Sequence, residues 1–180
     1  MISIPQPAMA MNSHNVPLPH YRMANTWNVK EDVGPAHLLG WAADVFKDFQ
    51  KRNPDRTFFD LIINCHGKVG ASGKGGYGLS IGTGIRRDDV VHFEKIAPYV
   101  NNIFLVACQA GFIDAAGGAG DGNLLCSAIA KAAQAHVWAS TADQYGPPWV
   151  PFGCIDDLDG TVLVYGPDGG VEKVYNFDYP

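Results

Sequence analysis

The amino-acid sequence predicts one α/β domain built around a mostly parallel sheet. Short apolar runs alternate with stretches of helical periodicity, the pattern of strand–helix–strand units. Three of those runs, 58–64, 103–107 and 136–140, are nearly unbroken in apolar residues, as strands covered on both faces are. A chain of 180 residues suits a single domain and is long enough to bury a sizeable core. Parallel neighbours need right-handed crossovers, and reactive groups in such sheets gather beyond the carboxyl ends of the strands.

Residues 1–20 are rich in Pro, Met, Asn and Ser without periodicity and read as a flexible N-terminal arm, leaving 21–180 as the folded domain. The stretch 21–29 alternates as a first strand. Gly34-Pro35 then opens a helix, with Pro at a favoured early position. Leu38, Leu39, Ala42, Val45, Phe46 and Phe49 recur at helical spacing before Asn53-Pro54 stops it. A buried strand follows at 58–64. Glycine at 67, 70, 73, 75, 76 and 78 makes the next stretch a flexible loop, and 77–81 with a return near Ile85 reads as a short hairpin. Asp88 or Asp89 begins a helix carrying Val90, Val91, Phe93, Ile96 and Ala97. The remaining order is a second buried strand at 103–107, a glycine loop at 117–122, a helix at 123–135 and a third buried strand at 136–140. A C-terminal β-hairpin closes the chain, its arms at 161–165 and 171–175 flanking Gly166-Pro167-Asp168-Gly169-Gly170.

Charge and cysteine usage exclude several classes of function. The formal charge is −5 and the pI near 5.6, and Arg86-Arg87 is cancelled at once by Asp88-Asp89, so no basic stripe is available for nucleic acid. The apolar runs are too short to cross a bilayer, and 1–20 lacks the basic and apolar regions of a signal peptide. A cytoplasmic protein is expected. Cys65, Cys108, Cys126 and Cys154 form no C-x-x-C pair and show no metal-ligand spacing, which fits a reducing compartment and no metal or other cofactor. Nucleotide motifs fail as well. Neither Gly67-Lys68 nor Gly73-Lys74 is followed by Ser or Thr, and Gly82-Thr83-Gly84 meets Arg87 where a dinucleotide fingerprint needs glycine.

Two of the buried strands end on chemically loaded residues followed by glycine. One runs Leu61-Ile62-Ile63-Asn64-Cys65-His66-Gly67, the other Ile103-Phe104-Leu105-Val106-Ala107-Cys108-Gln109-Ala110-Gly111. As parallel neighbours they would bring His66 and Cys108 to the same sheet edge. A thiol becomes a nucleophile when its thiolate is populated beside a base or a positive charge. The His66 imidazole supplies such a base and later protonates a leaving amine. Gly67 offers a bare backbone N–H that, with the N–H of Cys108, makes an oxyanion hole.

An apolar strand ending in His-Gly, followed by one ending in Ala-Cys-x-x-Gly, resembles the caspase-like cysteine peptidases: caspases, metacaspases, legumain, gingipains and bacterial CHAT peptidases. The caspase form itself has one residue fewer before its glycine. The intervening stretch is most similar to a CHAT domain, with Gly78-Leu79-Ser80-Ile81 like the strand after the histidine loop and 88–99 like the helix before the cysteine strand. The similarity covers roughly 58–140. It implies a three-layer caspase-like sandwich, a mostly parallel sheet with helices on both faces, and a cysteine endopeptidase acting on protein or peptide through a thioester. His66 then carries over as general base and acid, Cys108 as nucleophile and Gly67 as oxyanion donor. Many relatives have Gln, Glu or Asp two residues before the cysteine to read the substrate side chain. Here Val106 stands there, so the specificity pocket must be apolar or built from elsewhere.

Plainer readings stand beside each of these residues. A cysteine at a buried strand end is often packing, and His-Gly is common in turns; order, spacing and both glycines together favour the dyad. Cys65 should be structural, because neighbouring residues on a strand face opposite ways. Cys126 fits a helix core. Asp143, just after the third buried strand, is a candidate pocket acid for a basic substrate side chain, against the plainer reading of a solvated loop acid. Asp156, Asp157 and Asp159 lack the spacing of a calcium loop. Two other functions remain open: a non-catalytic caspase-like interaction module, and a cysteine hydrolase or acyltransferase using the same dyad on another acyl group.

Overall fold

A computed structural model describes residues 1–16, 19–68, 76–114 and 120–177. The chain is α/β, with a seven-stranded sheet in the order β11-β10-β8-β7-β4-β2-β3. Its strands are β2 (Met9–Ser13), β3 (Asn25–Val29), β4 (Phe59–Asn64), β7 (Val100–Val106), β8 (His136–Ser140), β10 (Thr161–Tyr165) and β11 (Val171–Asn176). The five from β3 to β8 in that order are parallel, and β10 and β11 add an antiparallel edge. Two short ribbons accompany them: β1 (Ile2–Ser3) with β9 (Cys154–Ile155), and β5 (His66–Gly67) with β6 (Leu79–Ser80). The mostly parallel sheet and the C-terminal hairpin are as the sequence predicts.

The expected arm is not one. β2 lies inside the sheet between β3 and β4, and all five of its residues are buried. Met9 and Met11 face one side of the sheet and Ala10 the other. The division at residue 20 therefore does not separate an arm from a domain, because the sheet takes an internal strand from before it.

Helix positions also correct the expected sandwich. Helix α1 (Pro35–Arg52), a 3-10 helix at Arg87–Lys95 and helix α2 (Gly122–Ala133) all bury their apolar sides in one core, on one face of the sheet. Topology explains this. The path β3, β4, β7, β8 advances across the sheet in one direction, and right-handed crossovers put every connecting helix on the same side. Only the step from β2 to β3 runs the other way, and its connection supplies Tyr21 and Met23 to the opposite face. There they pack with Ile62, Phe104, Val150, Ile155 and Leu158, from strands and loops rather than helices.

Local sequence accounts for the helices. α1 starts at Gly34 with Pro35 in its first turn, buries Leu38, Leu39, Ala42, Phe46 and Phe49, and carries Lys51 and Arg52 at its carboxyl end, where cations suit the dipole. Phe46 stacks on Phe59 of β4 at 6.0 Å, and each such fully buried ring contributes about 1.5–3 kcal/mol. The segment after Arg86 winds as 3-10 because Val90, Phe93 and Ile96 recur every third residue, the repeat that aligns side chains in that helix. Asp89 accepts the Arg86 N–H at 2.8 Å. Asp121 caps α2, its carboxylate accepting the Asn123 N–H.

The direction in which strands are added across the sheet reverses at β2, so a crevice forms at the carboxyl ends of β2 and β4, where connections leave to opposite faces. Open α/β sheets bind ligands at such points.

Candidate active site

β4 and β7 are adjacent and parallel, with Asn64 opposite Val106, so the residues that follow each strand emerge together at one edge. Cys65 N–H still donates to the Val106 carbonyl at 3.1 Å. His66 then leaves the sheet in β5, and Cys108 ends the extension of β7. Gln109 turns the chain sharply after it, with φ of 52°, a left-handed conformation that non-glycine residues seldom adopt. Backbone bonds secure the turn: Gln109 N–H to Ala142 O and Gly111 N–H to Ser140 O, both at 2.8 Å.

His66 and Cys108 line the same cavity, of about 120 Å³. That is far below the roughly 300–1,000 Å³ of a cleft that encloses a whole cofactor or drug-sized ligand. It suits one side chain. Val106 forms part of the apolar lining, while Asp156 and Asp157 make another wall acidic. Burial and the adjacent Asp157 charge hold the Asp156 carboxyl above the usual carboxylate range.

A buried amide network forms the floor. Asn64 Nδ2 donates to Asn12 Oδ1 at 2.9 Å and to the Pro19 carbonyl at 2.8 Å. Asn12 in turn accepts the Tyr21 N–H at 2.9 Å and donates to the Tyr21 carbonyl at 3.0 Å. These two strand-end amides fasten the 19–21 segment across the sheet edge and put Tyr21 on the cavity wall. Burial, reinforced by the Asp156 charge, raises the Tyr21 hydroxyl so that it stays protonated.

The His66 ring is set by the same crossing segment. Its Nε2 lies 3.1 Å from the Asn15 carbonyl oxygen. A carbonyl only accepts, so Nε2 carries the proton, and in the neutral ring Nδ1 keeps the lone pair. Cys108 is half-buried, and its sulfur accepts the Gln144 N–H at 3.3 Å. The other thiols differ. Cys65 also borders the cavity but is buried, and burial pushes its thiol up to about 12, against a smaller opposing hydrogen bond at Ser80. Cys126 is raised by burial too and points at the Ala110 carbonyl. Half-exposed Cys154 sits in β9, outside the cavity lining. Cys65→Ala should therefore leave reactivity at Cys108 intact and cost stability, ~1–2 kcal/mol, measurable as a lower urea midpoint.

Gly67 has a second reason to be glycine. A Cβ at this position would lie 1.9 Å from the Cys108 carbonyl oxygen. β5 thus passes directly over the backbone of Cys108, and no side chain fits between. Gly67→Ala should push the two apart, and a displacement of about 1 Å at a reacting group costs ~10²-fold in rate. The expected result is that loss in the rate of Cys108 alkylation, with the far end of the sheet unchanged by amide exchange.

Asp143 does not belong to the pocket. Gln109 Nε2 donates to its Oδ1 at 2.9 Å, and it is not among the residues lining the cavity. Trp149 is 63% exposed and lies outside it as well. Sequence reasoning missed the acids that do face the cavity, Asp156 and Asp157, because they follow a β9 too short to read. It also missed Asn12, Asn15, Gln109 and Gln144. A polar amide at the last position of a buried strand, as at Asn64, is the one signal that could have pointed to the floor. Among the described residues, no group of three or more His, Cys, Asp or Glu side chains is placed to hold a metal ion, and no helix is long and apolar enough to cross a membrane. No protein-family model matches the chain, and no curated protein does, so what the cavity does must be argued from its geometry.

Proposed function

We propose that the chain is a cysteine peptidase of the caspase-like kind, with Cys108 as nucleophile and His66 as general base and acid. The observation that carries this is the arrival of both residues at one cavity from adjacent parallel strands, with the imidazole Nε2 already engaged by Asn15. An imidazole so tied keeps its basic lone pair on Nδ1, the atom this reading assigns to taking the thiol proton, and the Gln144 N–H supports charge on the sulfur.

In this reading the Cys108 sulfur bonds to the scissile carbonyl carbon while its proton passes to His66. The carbonyl π pair moves to oxygen, which this reading assigns to the N–H groups of Gly67 and Cys108. Collapse breaks the C–N bond, and the amine leaves with the proton held by His66, giving a thioester. Water then gives a proton to His66 and adds to that carbon; the C–S bond breaks, the acid departs and the thiol is restored. The 120 Å³ cavity receives a single side chain of a peptide held extended.

The test joins two measurements on the full chain. A peptide bearing an electrophilic ketone should label Cys108 and no other cysteine, and a proteome digest should show new amino termini. Labelling without cleavage of any peptide would favour a different cysteine hydrolase or acyltransferase. An unlabelled Cys108 would leave a non-catalytic module.

A further inference from the structure

We propose that Gln144 is a positioning residue, whose carboxamide locks the loop after β8 so that its own backbone N–H stabilises the Cys108 thiolate. This rests on Cys108 being the nucleophile, although its readout needs no peptide substrate.

The Gln144 side chain behaves like an added peptide unit. Its Oε1 accepts the Asp159 N–H at 3.1 Å, and its Nε2 lies within reach of the Asp159, Ala142 and Asp143 carbonyls at 3.3, 3.2 and 3.1 Å. Both ends of the amide are therefore spent on backbone, on either side of the loop. The Asp159 segment is itself anchored to the sheet edge: Ser140 Oγ donates to the Asp159 carbonyl at 2.5 Å, and the Asp159 carboxylate accepts the Tyr145 N–H at 2.7 Å. The result at the far end is one backbone N–H held 3.3 Å from the Cys108 sulfur. The Gln144 carbonyl stands at 3.9 Å from the same sulfur, a longer contact that serves the neutral thiol. As the thiol ionises it loses that donor role, and the N–H contact strengthens because its acceptor is now charged. The loop thus favours the attacking form.

The experiment follows alkylation of Cys108 by iodoacetamide in the full chain, read by mass of the Cys108 peptide. In Gln144→Ala the rate at pH 7 should fall by ~10-fold, the scale of one hydrogen bond to a charged group. At pH values where any thiol is ionised the native and variant rates should converge. A merely structural loosening would expose the sulfur and leave the rate equal or higher at both pH values. Gln144→Met keeps the volume without the polar ends and should show the same slowing. If neither variant folds, the native protein still decides: the Gln144 amide proton resonance should shift as Cys108 ionises and stay fixed in Cys108→Ala. Equal or faster alkylation of both variants at pH 7, or an amide resonance indifferent to Cys108, overturns the proposal. Slowed alkylation in a protein that cleaves no peptide would keep this role and remove the peptidase.

Discussion

Under the proposed peptidase mechanism, Cys108→Ala should abolish turnover, with a fall of about 10³-fold or more in kcat/KM, while the protein folds as before. The size of the effect follows from chemistry: without sulfur no thioester forms, and water must attack the amide directly. Retention of the fold follows from the local structure. Cys108 is half-exposed, and the turn behind it is held by backbone bonds from Gln109 to Ala142 and from Gly111 to Ser140, none of which uses the thiol. The thermal midpoint should move by only a few degrees, and labelling by a peptide ketone should vanish. Cys65→Ala makes the control. Its thiol is buried and raised to about 12, so it holds almost no thiolate near neutrality. An active Cys108 variant beside a dead Cys65 variant would reverse the assignment.

How much of this was readable in advance depended on whether a residue's role is local. The strands at Phe59–Asn64, Val100–Val106 and His136–Ser140 announce themselves through apolar runs, and α1 through its periodicity. That His66 and Cys108 come to one cavity was legible because parallel neighbours bring strand ends together. β2 was not legible. Its five residues include Asn12 and Ser13, and a buried strand that ends in polar side chains looks like a loop until its hydrogen-bond partners at Tyr21 and Asn64 are known. Placement of the helices on one face needed the strand order, which no local pattern encodes. The pocket acids were misjudged for a similar reason. Asp143 stands three residues beyond the end of β8 at Ser140, yet Gln109, turned by its left-handed backbone, takes up its carboxylate. Asp156 and Asp157 come from a distant loop that folds back over the sheet. Gln144 acts through its own main chain, and a backbone N–H has no sequence signature.

His66→Ala is the second large effect, and it can separate the two roles proposed for the imidazole. General acid–base catalysis contributes ~10²–10⁴-fold, so amide cleavage at neutral pH should fall by that amount. The fold should persist, since the ring is exposed and gives up one bond to the Asn15 carbonyl, worth about 1 kcal/mol. The base role can be replaced by solution conditions. Raising the pH ionises Cys108 without help, and the Gln144 N–H still receives the charge. The acid role cannot be replaced so, because a departing amine needs a proton and alkaline solution supplies fewer. A peptide amide and an activated ester of the same acyl group should therefore part company in the variant. Ester hydrolysis, whose leaving group departs as an anion, should recover most of its rate as the pH rises. Amide hydrolysis should stay depressed throughout. Equal losses for ester and amide at every pH would mean that His66 serves only to ionise the thiol, and the proton for the amine would have to come from another group on the cavity wall, with the Tyr21 hydroxyl the first to replace by Phe.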